Sequence, residues 1–207
     1  MFKRTFLFAS MLIFLLFSFP VYGQNLALST PTKLVEVKIN QVLAVFENPE
    51  TLDLPEKQQK EEVAKILCTL VNFKLIFRSA LGRKHYKHFS ETEFNEFAKL
   101  FQCLIINFYF DNIKQNHKDV QIICKKEKKI KVKPKKRKRF SVYTYLAGKN
   151  LDPEEDNSVV YKMIQVNDGY MVYDIKIFGV SMVSNYRTQF KKMKKAQIKA
   201  KLIEKSS

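Results

Sequence analysis

The 207 residues are 46% hydrophobic, which suits one domain with its own core, or one domain with a small helical annex. Three cysteines without a CxxC pair do not form the even, spaced set of a disulfide scaffold, and the absence of a Cys/His cluster argues against zinc. The formal charge of +17 is concentrated: residues 125–139 hold eleven Lys/Arg and one Glu, and residues 187–207 hold eight and one, so a near-neutral body carries two basic patches. That distribution points to local docking on something anionic.

In chain order, Met1 to Gly23 reads as a secretory signal: Lys3 and Arg4, an apolar run from Thr5 to Phe19, then Pro20-Val21-Tyr22-Gly23 with cleavage after Gly23. The fifteen residues of that run fall short of the roughly 20 needed to span a bilayer, and no Cys follows for lipid attachment. An exported, soluble protein is expected, with residues 24–207 as a single domain. Thr30-Pro31 opens the first helix as N-cap and first-turn proline. Its apolar stripe is Val35, Ile39, Val42, Leu43 and Phe46, and Asn48-Pro49 ends it. After a polar linker over 48–56, Pro55 begins a longer helix. Val63, Ile66, Leu67, Leu70, Phe73, Phe77 and Leu81 keep its spacing to Gly82, read as the C-cap.

Ser90-Glu-Thr-Glu93 is a capping box. The helix it starts carries Phe94, Phe97, Ala98, Phe101, Leu104, Ile105 and Phe108 at i, i+3, i+4, i+7. From Val120 the period becomes two. Val120–Cys124, Phe140–Leu146, Ser158–Val166 and Tyr170–Phe178 read as four strands, the last pair joined at Asn167-Asp168-Gly169, where a tight turn tolerates positive φ. Residues 147–157 form a polar loop with an acidic cluster, Asp152, Glu154, Glu155 and Asp156. Val180 to Phe190 returns to helical spacing, and a basic tail covers 191–207. Cys68 and Cys103 read as small core residues, with a bridge between them as the alternative. The expected class is α+β: a helical N-terminal half (30–118) on a curved, mostly antiparallel sheet of about four strands (119–190), with a C-terminal helix folding back.

Two blocks carry a family resemblance. Tyr173-Asp174, Gly179-Val180-Ser181-Met182-Val183 and Asn185-Tyr186-Arg187-Thr188-Gln189-Phe190 form the first. The second comprises Asn72-Phe73, Arg78, Ala80-Leu81-Gly82-Arg83, Phe89-Ser90, Glu93, Phe94, Phe97, Leu100-Phe101, Leu104 and Tyr109. In that order they resemble the MlaC (toluene-tolerance) family and cover most of residues 63–190. The resemblance implies a periplasmic phospholipid-binding protein that passes lipid between the two membranes of a diderm bacterium. It would serve an ABC-type system whose partners are an inner-membrane transporter with an MCE-type protein and an outer-membrane lipoprotein complex. It implies no cofactor beyond the phospholipid cargo, and no catalysis. The basic run 125–139 departs from the family pattern, as does Tyr170 where the family tends to have Trp.

A lipid leaves a bilayer only if its tails find comparable cover, about 0.8 kcal/mol per CH₂. The expected cavity lies between an inner sheet face (Tyr161, Met163, Tyr173, Ile175, Ile177) and Phe-rich helices (Phe73, Phe77, Phe97, Phe101, Ile105), closed on one side by Val180, Val183 and Tyr186. The head group would stay at its mouth. The basic run has three readings: a solvated hairpin, docking to anionic head groups or an acidic membrane partner, or nucleic-acid binding, which export disfavours. Its docking residues would be Lys125, Lys126, Lys128, Lys129, Lys135, Lys136, Arg137, Lys138 and Arg139. An alternative class is a secreted binding module holding an anionic polymer or membrane surface through that run. A third is an enzyme with Asp174 as proton shuttle, against which Asp174 reads as a carboxylate bonded to a backbone N–H or Arg187. His85 and His88 fall in a basic link, as solvated residues.

Overall fold

The structure is a computed structural model, and it describes residues 30–148 and 157–206. The expected export signal and the acidic cluster lie outside the described residues.

Helix α1 (Pro31–Glu47) begins where Thr30 accepts a hydrogen bond from the Lys33 N–H and Pro31 fills the first turn. The segment after it is not all linker, since Asn48 caps a one-turn helix α2 (Pro49–Leu52). The long helix expected over 55–82 is instead two, α3 (Glu56–Leu70) and α4 (Phe73–Tyr86). At the break, Val71 bridges Val172 in parallel, Asn72 N–H donates to Val172 C=O at 2.9 Å, and the Asn72 side chain caps α4 by accepting from Leu75 N–H. Hydrophobic period alone cannot see this, because the stripe continues across the break. Gly82, at φ +68° and ψ 171°, interrupts α4 before its last turn, Arg83–Tyr86, rather than ending it.

Helix α5 (Glu91–Asn116) has the full capping box between Ser90 and Glu93. One of its faces buries Phe97, Phe101 and Ile105. Its second half buries a different side, Ile106 and Phe110, the latter in a small core with Val42, Val45, Phe46 and Val63. Phe108 continues the first stripe beyond the point where anything covers it and is 59% exposed. Cys103 lies off both stripes. It and Cys68 are exposed free thiols rather than core residues, with the Gln102 amide 3.1 Å from the Cys68 sulfur.

A 3₁₀ turn (His117–Asp119) leads into a meander of five antiparallel strands in sequence order. They are β1 (Val120–Ile130), β2 (Arg139–Gly148), β3 (Ser158–Val166), β4 (Gly169–Ile177) and a two-residue β5 (Val180–Ser181). The basic run is therefore strand as far as Ile130, with a bulge at Lys125 between Cys124 and Lys126, and an irregular turn over 131–138. A second bulge falls at Tyr173, since Lys162 pairs with Asp174 but Met163 with Val172. The turn into β5 holds Phe178 (φ +50°) and Gly179 (φ +77°). Helix α6 (Met182–Lys191) then folds back onto α4, where the Arg187 guanidinium donates twice to Ser79 C=O at 3.0 and 2.7 Å. The expected basic tail is a helix, α7 (Lys195–Ser206), docked on α5 by fully buried Ile198 and Leu202 and by Lys195–Glu93 (2.6 Å) and Lys199–Glu96 (2.8 Å) ion pairs.

Candidate functional site: an apolar cavity under the sheet

Antiparallel alternation sends Val159 and Tyr161 of β3 and Ile175 and Ile177 of β4 toward the helices. Facing them are Ile39 and Val42 of α1, Leu67 and Leu70 of α3, Phe73 of α4, and Ile105 and Tyr109 of α5. These walls do not meet. They enclose an inner cavity of about 210 Å³. Tyr109, Ile113, Ile122, Leu146, Ile177 and Met182 line it and are shared with an outer, open cavity of about 700 Å³. The rim of the outer cavity carries exposed Phe108, Phe178 and Val180, and its polar lining is Asn112, Asn116, His117, Asn185 and Gln189. Among the described residues, no Lys, Arg, Asp or Glu lines it.

The tyrosine hydroxyls in the cavity walls are desolvated. Burial pushes the Tyr109 hydroxyl up to about 12, with Tyr186 and Asp174 adding to it. Burial likewise raises Tyr161, helped by neighbouring Cys124 and Tyr109; outside the cavity lining, it takes the half-buried Cys124 thiol up to about 11 with Glu36 beside it. The His117 ring lies 5.4 Å from Phe46, with Nδ1 2.9 Å from Lys114 C=O, and its buried Nε2 has no partner among the described residues.

Of the expected cavity residues, seven stand in these walls: Phe73, Ile105, Tyr161, Ile175 and Ile177 in the inner cavity, Val180 and Tyr186 in the outer. Six do not. Phe77 and Phe101 are fully buried in a solid aromatic cluster, their ring centroids 5.2 Å apart and Phe77 5.7 Å from Phe94 and 6.2 Å from Phe190. Phe97 packs edge-on against Phe89 at 4.9 Å. Met163 is fully buried in packed core. Tyr173 is the extra residue of the β4 bulge, which takes it out of the inward alternation, and its ring lies under the Arg139 guanidinium at 5.0 Å. Val183 is held at the start of α6, where its N–H donates to Asp174.

Asp174 is a structural carboxylate. It accepts from Ser181 Oγ (2.8 Å) and Val183 N–H (3.1 Å), with Lys162 Nζ at 3.6 Å, so it binds the first turn of α6 to β4. The Arg187 alternative fails because Arg187 is engaged with Ser79. His85 and His88 do not line the cavity, and among the described residues no group of three His, Cys, Asp or Glu could hold a metal.

Sequence reasoning missed Lys38. It is only 9% exposed, stands in the inner cavity wall, and donates from Nζ to the Gln41 side chain at 3.1 Å. The signal was available: three residues after Val35 and four before Val42, Lys38 interrupts the inward stripe of α1. Ile39, Val42 and Leu43 were legible as a stripe, but nothing in the spacing marked them as facing a void.

Among curated proteins, none matches this chain in sequence. Among solved structures, the phospholipid-binding protein from Ralstonia solanacearum, in complex with a phospholipid, superposes with a TM-score of 0.69 at 18% identity, over 86% of this chain and 97% of that one. That likeness concerns the fold. The family profile described as MlaC protein matches residues 36–205, spanning both resembling blocks, and the chain belongs to the MlaC family.

Proposed function

We propose that this protein is a periplasmic phospholipid carrier, taking lipid between inner- and outer-membrane components of an ABC-type transport system without catalysing a bond change. The observation that carries the reading is the gap between sheet and helices. A folded protein ordinarily closes its interior to crystal-like density, yet here aliphatic and aromatic walls leave an inner space of about 210 Å³ continuous in lining with an open one of about 700 Å³. Such a space suits acyl chains, whose transfer from water gains about 0.8 kcal/mol per CH₂. Family membership and the phospholipid carried by the Ralstonia solanacearum protein support the same reading. The amides and His117 at the outer cavity can hydrogen-bond a head group without committing to its charge, so the carrier accepts zwitterionic and anionic phospholipids alike.

The test is extraction and mass spectrometry of lipid from protein exported by a diderm host. Stoichiometric phospholipid with mixed head groups is expected. Protein that folds, is exported and carries none sinks the reading, and protein retained in the cytoplasm sinks its location.

A further inference from the structure

We propose that the β1–β2 hairpin is a docking surface for anionic lipid bilayers, distinct from the cargo mouth. Eleven cations lie between residues 125 and 139, and among the described residues none makes a salt bridge. The single acid of the run, Glu127, is engaged elsewhere: it accepts from Thr32 N–H (3.1 Å) and Thr32 Oγ1 (2.9 Å) at the start of α1. The other basic segment behaves differently, because α7 commits Lys195 and Lys199 to carboxylates of α5. Among the described residues, charge in the hairpin is left unpaired.

It is also kept at a conformational cost. The Lys136 N–H donates to Lys133 C=O at 3.2 Å, with Pro134 at the second position of the turn and Lys135 at the third with φ +65°. That third position favours glycine or asparagine, and a lysine stands there instead.

The chemistry of the surface favours a bilayer over other polyanions. Lys125 Nζ lies 4.2 Å over the Tyr145 ring, and Lys126 and Lys128 lie 5.1 and 5.8 Å over Tyr143. Ammonium groups thus occupy ring faces on which nucleic-acid bases would need to stack. Toward the tip, Ile130 and Val132 alternate with lysines, and Val132 is 36% exposed. Lysine, tyrosine and aliphatic side chains together match the head-group boundary of an anionic membrane.

The position separates this surface from the mouth. Ile122 and Leu146, paired across β1 and β2, line both cavities, whereas Ile130 pairs with Arg139 at the other end of the same hairpin. Eight strand residues correspond to roughly 25 Å. Docking through the hairpin therefore leaves the mouth unobstructed, and it does not depend on the cargo reading.

The experiment is cosedimentation of the mature protein with vesicles of phosphatidylcholine alone or mixed three to one with phosphatidylglycerol. Binding to the mixed vesicles only, weakening as salt rises, is expected. Each basic residue near the surface contributes about fivefold in affinity, so K128Q/K131Q/K136Q/R137Q binds several hundredfold more weakly while its copurified phospholipid is unchanged. Equal binding of wild type to both vesicles overturns the proposal, as does wild-type affinity in a folded quadruple variant. Displacement from mixed vesicles by an equal charge of single-stranded oligonucleotide also overturns it, in favour of a soluble polyanion. Should the quadruple variant fail to fold, titrating the phosphatidylglycerol fraction with wild type decides in its place: binding independent of that fraction overturns the proposal.

Discussion

Ile175→Trp separates a lipid cavity from an ordinary core. Ile175 stands on the cavity face of β4, paired with Tyr161, in the wall of the inner space. A methylene occupies a volume on the order of a liquid water, ~30 Å³, so about 210 Å³ holds on the order of seven methylenes. At ~0.8 kcal/mol each, their burial is worth about 5 kcal/mol. Replacing Ile by Trp adds about six heavy atoms, which occupy roughly a third of that space and obstruct the rest for an acyl chain. Because the added atoms enter a void, the overpacking cost of about 1–3 kcal/mol that a filled core imposes does not apply. The variant should fold with a melting midpoint within a few degrees of wild type and retain little copurified phospholipid, measured as phosphate per protein. Full lipid occupancy in a folded variant refutes the assignment of the inner space to acyl chains. A midpoint drop of ten degrees or more refutes its emptiness.

The converse perturbation is Phe101→Ala in the aromatic cluster. It should cost about 3–5 kcal/mol by denaturant unfolding, while the surviving folded protein keeps its lipid. Asp174→Ala removes the acceptor for Ser181 and Val183 and should lower stability by about 2–3 kcal/mol. Lys38→Met should raise stability by about 1–2 kcal/mol, because a residue nine-tenths buried, whose ammonium bonds only a neutral amide, gives way to an apolar chain of similar length. An unchanged or lower midpoint would show the ammonium to be well solvated or better paired than this. The Lys195 ammonium, with the Ser90 N–H, holds the Glu93 carboxyl down at about 2, against an ordinary value of 4.5. A depressed carboxyl contributes stability that is complete above about 4.5 and lost as pH falls toward 2. Melting midpoints across that window should therefore fall less steeply in Glu93→Gln.

Where sequence reasoning succeeded, a side chain's own neighbours decided the outcome. Thr30 and Ser90 cap helices because their oxygens reach an N–H three residues on. Tyr161 and Ile175 face inward because a strand alternates. The failures share a different cause, contact with residues distant in sequence. The break at Val71 exists because Val172 pairs with it across the molecule, and Tyr173 leaves the inner face because one extra residue entered β4 opposite Lys162 and Met163.

Periodicity supplies the direction of a side chain but not what occupies the space it points into. Phe101 and Ile105 sit one helical turn apart on α5 with the same inward bearing. One meets Phe77, Tyr186 and Phe190 in close packing, while the other meets a void. The difference arises from their surroundings. At Phe101, α6 folds back and fills the layer with Tyr186 and Phe190. At Ile105, the nearest cover is the sheet face of Val159 and Ile175, whose short side chains stop before they reach the helix. A cavity is thus a property of the separation between elements and of small residues opposite one another. Its walls can be read from a stripe, but its emptiness depends on which aromatic residues the chain brings back to fill it.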